Sequence, residues 1–76
     1  MQLNSLFLLQ WNARSIIYNL DEFKKMLDDN KPHIACITET WLKYNDTINI
    51  NGYDILRNDR DFGRKAGGVA FIVKNT

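Results

Sequence analysis

An amide at Asn12 and a carboxylate at Glu39 are the polar groups of this sequence best placed for chemistry on a phosphate. Each falls at the end of an apolar run, the first in Leu9-Gln10-Trp11-Asn12 and the second in Thr38-Glu39-Thr40-Trp41-Leu42, where a buried strand should reach solvent. A carboxylate oxygen is a hard ligand of the kind Mg²⁺ prefers, and a side-chain amide can hydrogen-bond a phosphate oxygen or a neighbouring carboxylate. The pair can begin a metal-and-phosphate site. It cannot run hydrolysis alone, because in-line attack on a phosphodiester also needs a source of hydroxide and stabilisation of the leaving oxygen. The sole histidine, His33, does not fill that gap. It opens the strand that Glu39 closes, and the intervening steps at strand rise put the two about 20 Å apart. His33 reads as a structural or surface residue.

Asn12 and Glu39 can share a crevice only if the runs that carry them are parallel neighbours joined by a helix, since such strands emerge on one rim of a sheet. Residues 6–11 are nearly continuous in apolar character, as in a central strand covered on both faces. Asn19 with Glu22 three positions on makes a capping box. Leu20, Phe23 and Leu27 then share one helical face, while Lys24, Lys25, Asp28 and Asp29 take the wet side. Pro32 ends this helix near Asn30 and biases Lys31 towards an extended conformation. Residues 33–38 are the second central strand. Beyond Trp41, residues 43–46 read as a solvated turn, and Asn51-Gly52 as a turn ahead of a third strand over 53–57. A polar connection over 58–65 leads to a fourth strand at 68–73. One helix cannot cover both faces of such a sheet. At least one face is expected to stay open, and the chain reads as a piece of a larger domain.

Composition narrows the classes further. The chain has 76 residues, a formal net charge of +1, 45% hydrophobic and 25% charged residues, which suits a globular segment of at most one domain. So short a chain buries only about 60% of the surface that its unfolded form exposes, leaving a marginal core. Cys36 is the one cysteine, which excludes an internal disulfide. Flanked by Ala35 and Ile37, it reads as a small buried hydrophobe in a reducing compartment, so an intracellular location, nucleus or cytoplasm, is expected. No apolar run approaches the roughly 20 residues of a membrane span, and the first residues lack the basic and apolar regions of a signal peptide. The near-neutral charge argues against broad electrostatic adhesion to nucleic acid and leaves room only for local contacts.

Four stretches follow one another along the chain: Gln10-Trp11-Asn12-Ala13-Arg14-Ser15; Pro32-His33-Ile34 leading into Glu39-Thr40-Trp41-Leu42; Gly52-Tyr53 with Arg57-Asn58-Asp59-Arg60; and Gly67-Gly68-Val69-Ala70. In this order and at these separations they resemble the endonuclease/exonuclease/phosphatase superfamily. The likeness is strongest to the apurinic-type endonuclease domain at the front of non-LTR retrotransposon polyproteins. It runs over essentially the whole chain yet covers only the opening part of the family domain. The fold class it implies is α/β, the opening β-α-β-β-β part of a four-layer α/β sandwich (DNase I-like), incomplete in this chain. Residues 1–76 would be an N-terminal fragment of that domain.

The resemblance also implies roles. Glu39 matches the family's metal-binding glutamate, with Mg²⁺ as the cofactor and Mn²⁺ as a substitute. Asn12 matches the asparagine beside it, whose amide orients the scissile phosphate or a catalytic carboxylate. DNA is the implied partner, nicked at a target site by phosphodiester hydrolysis. The remainder of the domain and a reverse transcriptase are the implied neighbours in the parent polyprotein. Arg14, Arg57, Arg60, Arg64 and Lys65 are candidate contacts to DNA phosphates. Each role has a plainer alternative: a solvated strand-end carboxylate for Glu39, a turn residue bonding its own backbone for Asn12, and surface charge interleaved with Asp59 and Asp61 for the basic residues. Gly67 and Gly68 are expected to permit close packing, and Trp11, Trp41 and Tyr53 to pack in the core or at its rim.

Departures from the family pattern shape the expectation. Arg14 stands where abasic-site repair members carry an acidic residue, and Thr38 where they usually carry glutamine, which favours the retroelement branch. Ala66 replaces one glycine of a triplet frequent in that branch. The family's later tyrosine, its aspartate-asparagine pair and its closing aspartate-histidine pair would lie beyond Thr76, so this chain is expected to be inactive alone. The competing expectations are a non-catalytic interaction module that completes its sheet with a partner chain, and another phosphoesterase branch of the same superfamily, such as a phosphatase or a deoxyribonuclease.

Overall fold

Hydrophobic periodicity sets the elements, and the computed structural model describes residues 6–59 and 67–75. In chain order they are β1 (Leu8–Asn12), α1 (Leu20–Asn30), β2 (Ile34–Thr38), β3 (Tyr53–Asn58) and β4 (Val69–Lys74). The strands form one mixed sheet in the order β1-β2-β4-β3. β1 and β2 are parallel, with Leu8 opposite Ile34 and Asn12 opposite Thr38. β4 runs antiparallel to both β2 and β3. A strand, a crossover helix and a parallel strand are what the apolar runs around Asn12 and Glu39 require, and both residues accordingly reach the same rim.

The core lies between the sheet and α1. Phe23 and Leu27 of the helix are buried against the inward residues Ala35, Ile37, Ala70 and Ile72, with Ile16 and Ala13 from the turn after β1. Trp11 stacks on Phe23 with ring centroids 5.1 Å apart and planes 2° from parallel. Leu42 and Ile50, on either side of the loop after Trp41, join the same core. Residues 43–46 form the solvated turn expected of them, with Asp46 N–H donating to the Lys43 carbonyl and Lys43 N–H to the Asp46 carboxylate. The Asn51-Gly52 turn forms as expected, with Tyr53 N–H bonded to the Ile50 carbonyl and Gly52 at φ +88°.

The other sheet face is open. Leu8, Leu56, Val69 and Phe71 are exposed there, with Ile34 and Cys36 half-buried between them. β1 therefore departs from the central strand expected of residues 6–11. It is an edge of the described sheet, and its residues alternate exposed and half-buried because helix and loop cover only one face. For the same reason Cys36 is half-buried, not enclosed.

Two local expectations are corrected at the helix ends. Asn19 is the N-cap residue, but its side chain makes no cap hydrogen bond. Its amide is drawn instead to the carbonyls of Ala13 (2.8 Å), Ser15 (3.2 Å) and Arg14 (3.3 Å) in the turn after β1. Lys31 is left-handed (φ 47°, ψ 54°), not extended, because an αL residue lets its N–H close on the Leu27 carbonyl at the helix end. His33 lies at the rim remote from Glu39, where Phe7 N–H donates to its Nδ1 (2.9 Å), a structural duty. Tyr53 serves the same end: its phenol donates to the Pro32 carbonyl, and burial, then the Asp28 carboxylate, raise its pKa above the usual 10.0.

Candidate active site

The rim is built by backbone bonds that continue past the strands. Ala13 N–H donates to the Thr38 carbonyl (2.9 Å), Ser15 N–H to that of Glu39 (3.0 Å) and Ile16 N–H to that of Thr40 (3.0 Å). On the other side Trp41 N–H donates to the Gly67 carbonyl (3.0 Å) and Thr40 N–H to that of Gly68 (3.4 Å). Residues 38–41 are thus held between the turn after β1 and the entry to β4. Asn19 braces that turn through the three carbonyls already named.

Backbone strain collects at this rim. Among the described non-glycine residues, Arg14 (φ 45°), Ser15 (φ 80°), Glu39 (φ 56°) and Trp41 (φ 55°) are left-handed, and Lys31 is the one such residue elsewhere. Each conformation costs about 1–2 kcal/mol, so the surrounding bonds must hold it. At Glu39 the left-handed turn ends the extended path of β2. Its carboxylate is half-buried, and Oε2 accepts hydrogen bonds from Gly67 N–H (2.7 Å) and the Trp41 indole Nε1–H (3.1 Å). Oε1 accepts none from the described residues.

Asn12 stands at the exposed end of β1, in register with Thr38 and so beside the residue that precedes Glu39. Arg14 is exposed on the same rim. Arg57 has a different duty. Its guanidinium donates to the Asp59 carboxylate (2.7 Å from Nη2) and to the carbonyls of Asp46 and Lys43 (2.7 Å each), tying β3 to the tip of the preceding loop. Arg60, Arg64 and Lys65 lie outside the described residues.

Thr40, between Glu39 and Trp41, is fully buried, and its Oγ1 has no hydrogen-bond partner among the described residues. An unpaired hydroxyl in such a place is destabilising, whereas a methyl of the same shape is not. Thr40→Val is expected to raise stability by about 1 kcal/mol in urea unfolding. A lowered midpoint would reveal that the hydroxyl has a partner.

Surface shape alone does not select this rim. One depression, about 700 Å³, lies around Ile50, Gly52 and Asn75. It is at the His33 end, since Lys74 N–H bonds the His33 carbonyl and Asn75 N–H that of Gly52. A smaller one of about 340 Å³ adjoins the rim, lined by Ser15, Tyr18, Trp41, Lys43 and Asp46. Neither Asn12 nor Glu39 lines it; Asn12 lines a separate depression of about 270 Å³ with Trp11, Cys36 and Thr38.

The donor set can be tested against a metal. Among the described residues no group of three or more His, Cys, Asp or Glu side chains converges. One carboxylate whose Oε1 accepts no hydrogen bond from the described residues suits Mg²⁺, which keeps several waters and takes one or two carboxylates plus substrate phosphate. Glu39 would hold such an ion through Oε1. Gly67 and Trp41 escaped sequence reading as site residues. Gly67 lies in a motif stretch where close packing is expected, but its bond to Glu39, 28 positions away, is not marked by that stretch; Trp41 had a faint signal in its placement two residues after the acid.

Neither protein-family models nor curated protein sequences match the chain. Solved structures do. The AP endonuclease LMAP from Leishmania major aligns with TM-score 0.78 and 22% identity over 93% of this chain and 24% of its own. The APE2 catalytic domain of Xenopus laevis aligns with TM-score 0.75 and 22% identity, over 91% of this chain and 23% of that one. For an AP endonuclease from Archaeoglobus fulgidus the values are 0.76, 24%, 91% and 27%. The chain spans about a quarter of the length of these proteins. Its mixed four-stranded sheet with one helix is thus a small α/β piece with the fold of part of the DNase I-like AP endonucleases.

Proposed function

We propose that this chain is the N-terminal segment of a Mg²⁺-dependent DNA endonuclease domain, of the kind that nicks target DNA for a retroelement, and that it is inactive by itself. The observation that supports the reading is the shared rim: β1 and β2 run parallel, Asn12 ends β1 opposite Thr38, and Glu39 follows Thr38 at the end of β2. The likeness of fold to AP endonucleases supports DNA as the substrate, and the motifs around Asn12, Glu39, Gly52 and Gly67 support the retroelement branch. Glu39 binds the metal through Oε1, with Mn²⁺ able to replace Mg²⁺. Bound there, the ion would supply charge stabilisation at the phosphate and acidify a coordinated water. Asn12 orients the scissile phosphate through its amide. Arg14, exposed on the rim, meets a neighbouring DNA phosphate; Arg60, Arg64 and Lys65, outside the described residues, are further candidate phosphate contacts on sequence grounds. Arg57 shapes the rim by clamping the loop. The partners are DNA, the rest of the endonuclease domain and a reverse transcriptase in an intracellular polyprotein.

Supercoiled plasmid incubated with the chain and Mg²⁺ is expected to stay uncut. Cleavage that Glu39→Ala abolishes would overturn the inactivity while supporting the site. The coding sequence beyond the Thr76 codon tests the parentage: continuation into further aspartates, a histidine and a reverse-transcriptase frame is expected, and an immediate stop would refute it.

A second reading rests on the open sheet face. With β1 and β3 as the edges of the described sheet and Leu8, Leu56 and Phe71 exposed on its face, the chain can act as a non-catalytic module that completes its sheet by pairing with a partner chain through an open edge. Light scattering separates the two: a discrete, stable oligomer favours the module, and open-ended aggregation favours a segment of a larger domain. A different phosphoesterase branch would keep Asn12 and Glu39 and differ in substrate.

A further inference from the structure

We infer that Trp41 is a positioning residue for Glu39, acting with the Gly67 amide to occupy one carboxylate oxygen and leave the other as a single, aimed ligand. The inference rests on the reading of Glu39 as a metal ligand. Its basis is a closed ring of contacts across the rim. Trp41 N–H bonds the Gly67 carbonyl at 3.0 Å. Gly67 N–H returns to Glu39 Oε2 at 2.7 Å, and the Trp41 indole N–H reaches the same oxygen at 3.1 Å.

A carboxylate oxygen has two lone-pair directions, and both on Oε2 are taken. Donation to an ionised acceptor is stronger than donation to a neutral one, so these bonds resist exchange for water or for a cation. The left-handed backbone at Glu39 (φ 56°) and at Trp41 (φ 55°) turns indole and carboxylate towards each other. Gly67 has φ +75°, a conformation that a residue with a side chain adopts only at a cost. Strain at Glu39 and Trp41 is supported by the bonds that the ring closes, and Gly67 takes its positive φ without cost. The result is that Glu39 can bind a cation only through Oε1. One-oxygen coordination suits the small octahedral shell of Mg²⁺ or Mn²⁺ and disfavours Ca²⁺, which readily takes a carboxylate by both oxygens.

NMR of the ¹⁵N-labelled 76-residue chain tests this, because its two tryptophans provide a reporter and a control. Trp41 carries the proposed bond, while Trp11 is stacked on Phe23. Without metal, Glu39→Gln is expected to move the Trp41 indole N–H resonance upfield and shift the Gly67 amide, with the Trp11 indole in place. An unmoved Trp41 resonance overturns the clamp. In a MnCl₂ titration, paramagnetic broadening of the Gly67 amide should require about ten-fold more Mn²⁺ in Trp41→Phe than in the wild type, the usual scale for loss of a group that orients a metal ligand. Equal titrations would remove the role of Trp41 and leave Glu39 as the ligand. No broadening in the wild type, or broadening that Glu39→Gln does not weaken, would remove the metal reading and this inference with it. A native Trp11 resonance verifies folding of each variant. If Trp41→Phe does not fold, the metal-free Glu39→Gln comparison decides the clamp.

Discussion

Phe23→Ala is expected to unfold the chain at room temperature. Phe23 is fully buried at the centre of the helix–sheet interface, and truncating such a side chain costs about 3–5 kcal/mol. Loss of the stack on Trp11 adds about 0.5–1.5 kcal/mol. Against this stands a total stability of about 4–11 kcal/mol for a domain of this length, taken at the usual per-residue scale. The open sheet face places the chain at the low end, because the apolar surface of Leu8, Leu56 and Phe71 contributes little while it stays in water. The mutation is thus about as large as the whole margin. Circular dichroism of the variant should show no cooperative thermal transition. A transition within a few degrees of the wild type would mean that the interface between α1 and the sheet is not what holds this chain together.

Arg57→Lys is expected to destabilise nearly as much as Arg57→Ala, by about 2–3 kcal/mol. The flat guanidinium makes charge-assisted bonds to the Asp59 carboxylate while reaching the carbonyls of Lys43 and Asp46, and a lysine ammonium cannot reproduce that fork. The two side chains are only 21% and 11% exposed, so breaking the pair leaves Asp59 poorly solvated and two carbonyls without their donor. The exposed Lys25–Asp29 pair on the helix makes a useful contrast, since removing it should cost no more than a few tenths of a kcal/mol. Urea denaturation of both Arg57 variants decides the matter. If Arg57→Lys matches the wild type, charge alone is what the position needs, and Arg57 belongs with the phosphate contacts.

How far the sequence could be read depended on whether a property repeats locally. The helical stripe of Leu20, Phe23 and Leu27 was legible, and α1 buries Phe23 and Leu27 with Leu20 packed against them. The turn at Asn51-Gly52 was legible because Gly52 needs a positive φ. Asn19 was legible only as a helix start. Its amide had a choice between capping the helix and bonding the carbonyls of Ala13, Arg14 and Ser15, and that choice depends on a turn whose path the sequence does not display. Residues 6–11 misled for a related reason. An apolar run reports that a strand is apolar on both sides, and says nothing about whether a second layer is present to cover it.

By itself, then, the sequence determined the order of elements, the helix stripe, the parallel pairing implied by strand, helix and strand, and hence the common rim of Asn12 and Glu39. These follow from side-chain periodicity and chain connectivity, which act between neighbours. Tertiary structure alone decided that Glu39 turns left-handed, that Gly67 and Trp41 hold its Oε2, and that Arg57 clamps a loop. Those bonds join atoms whose approach depends on the packing of the entire sheet, and hydrogen bonds of about 3 Å between distant positions leave no period in the chain.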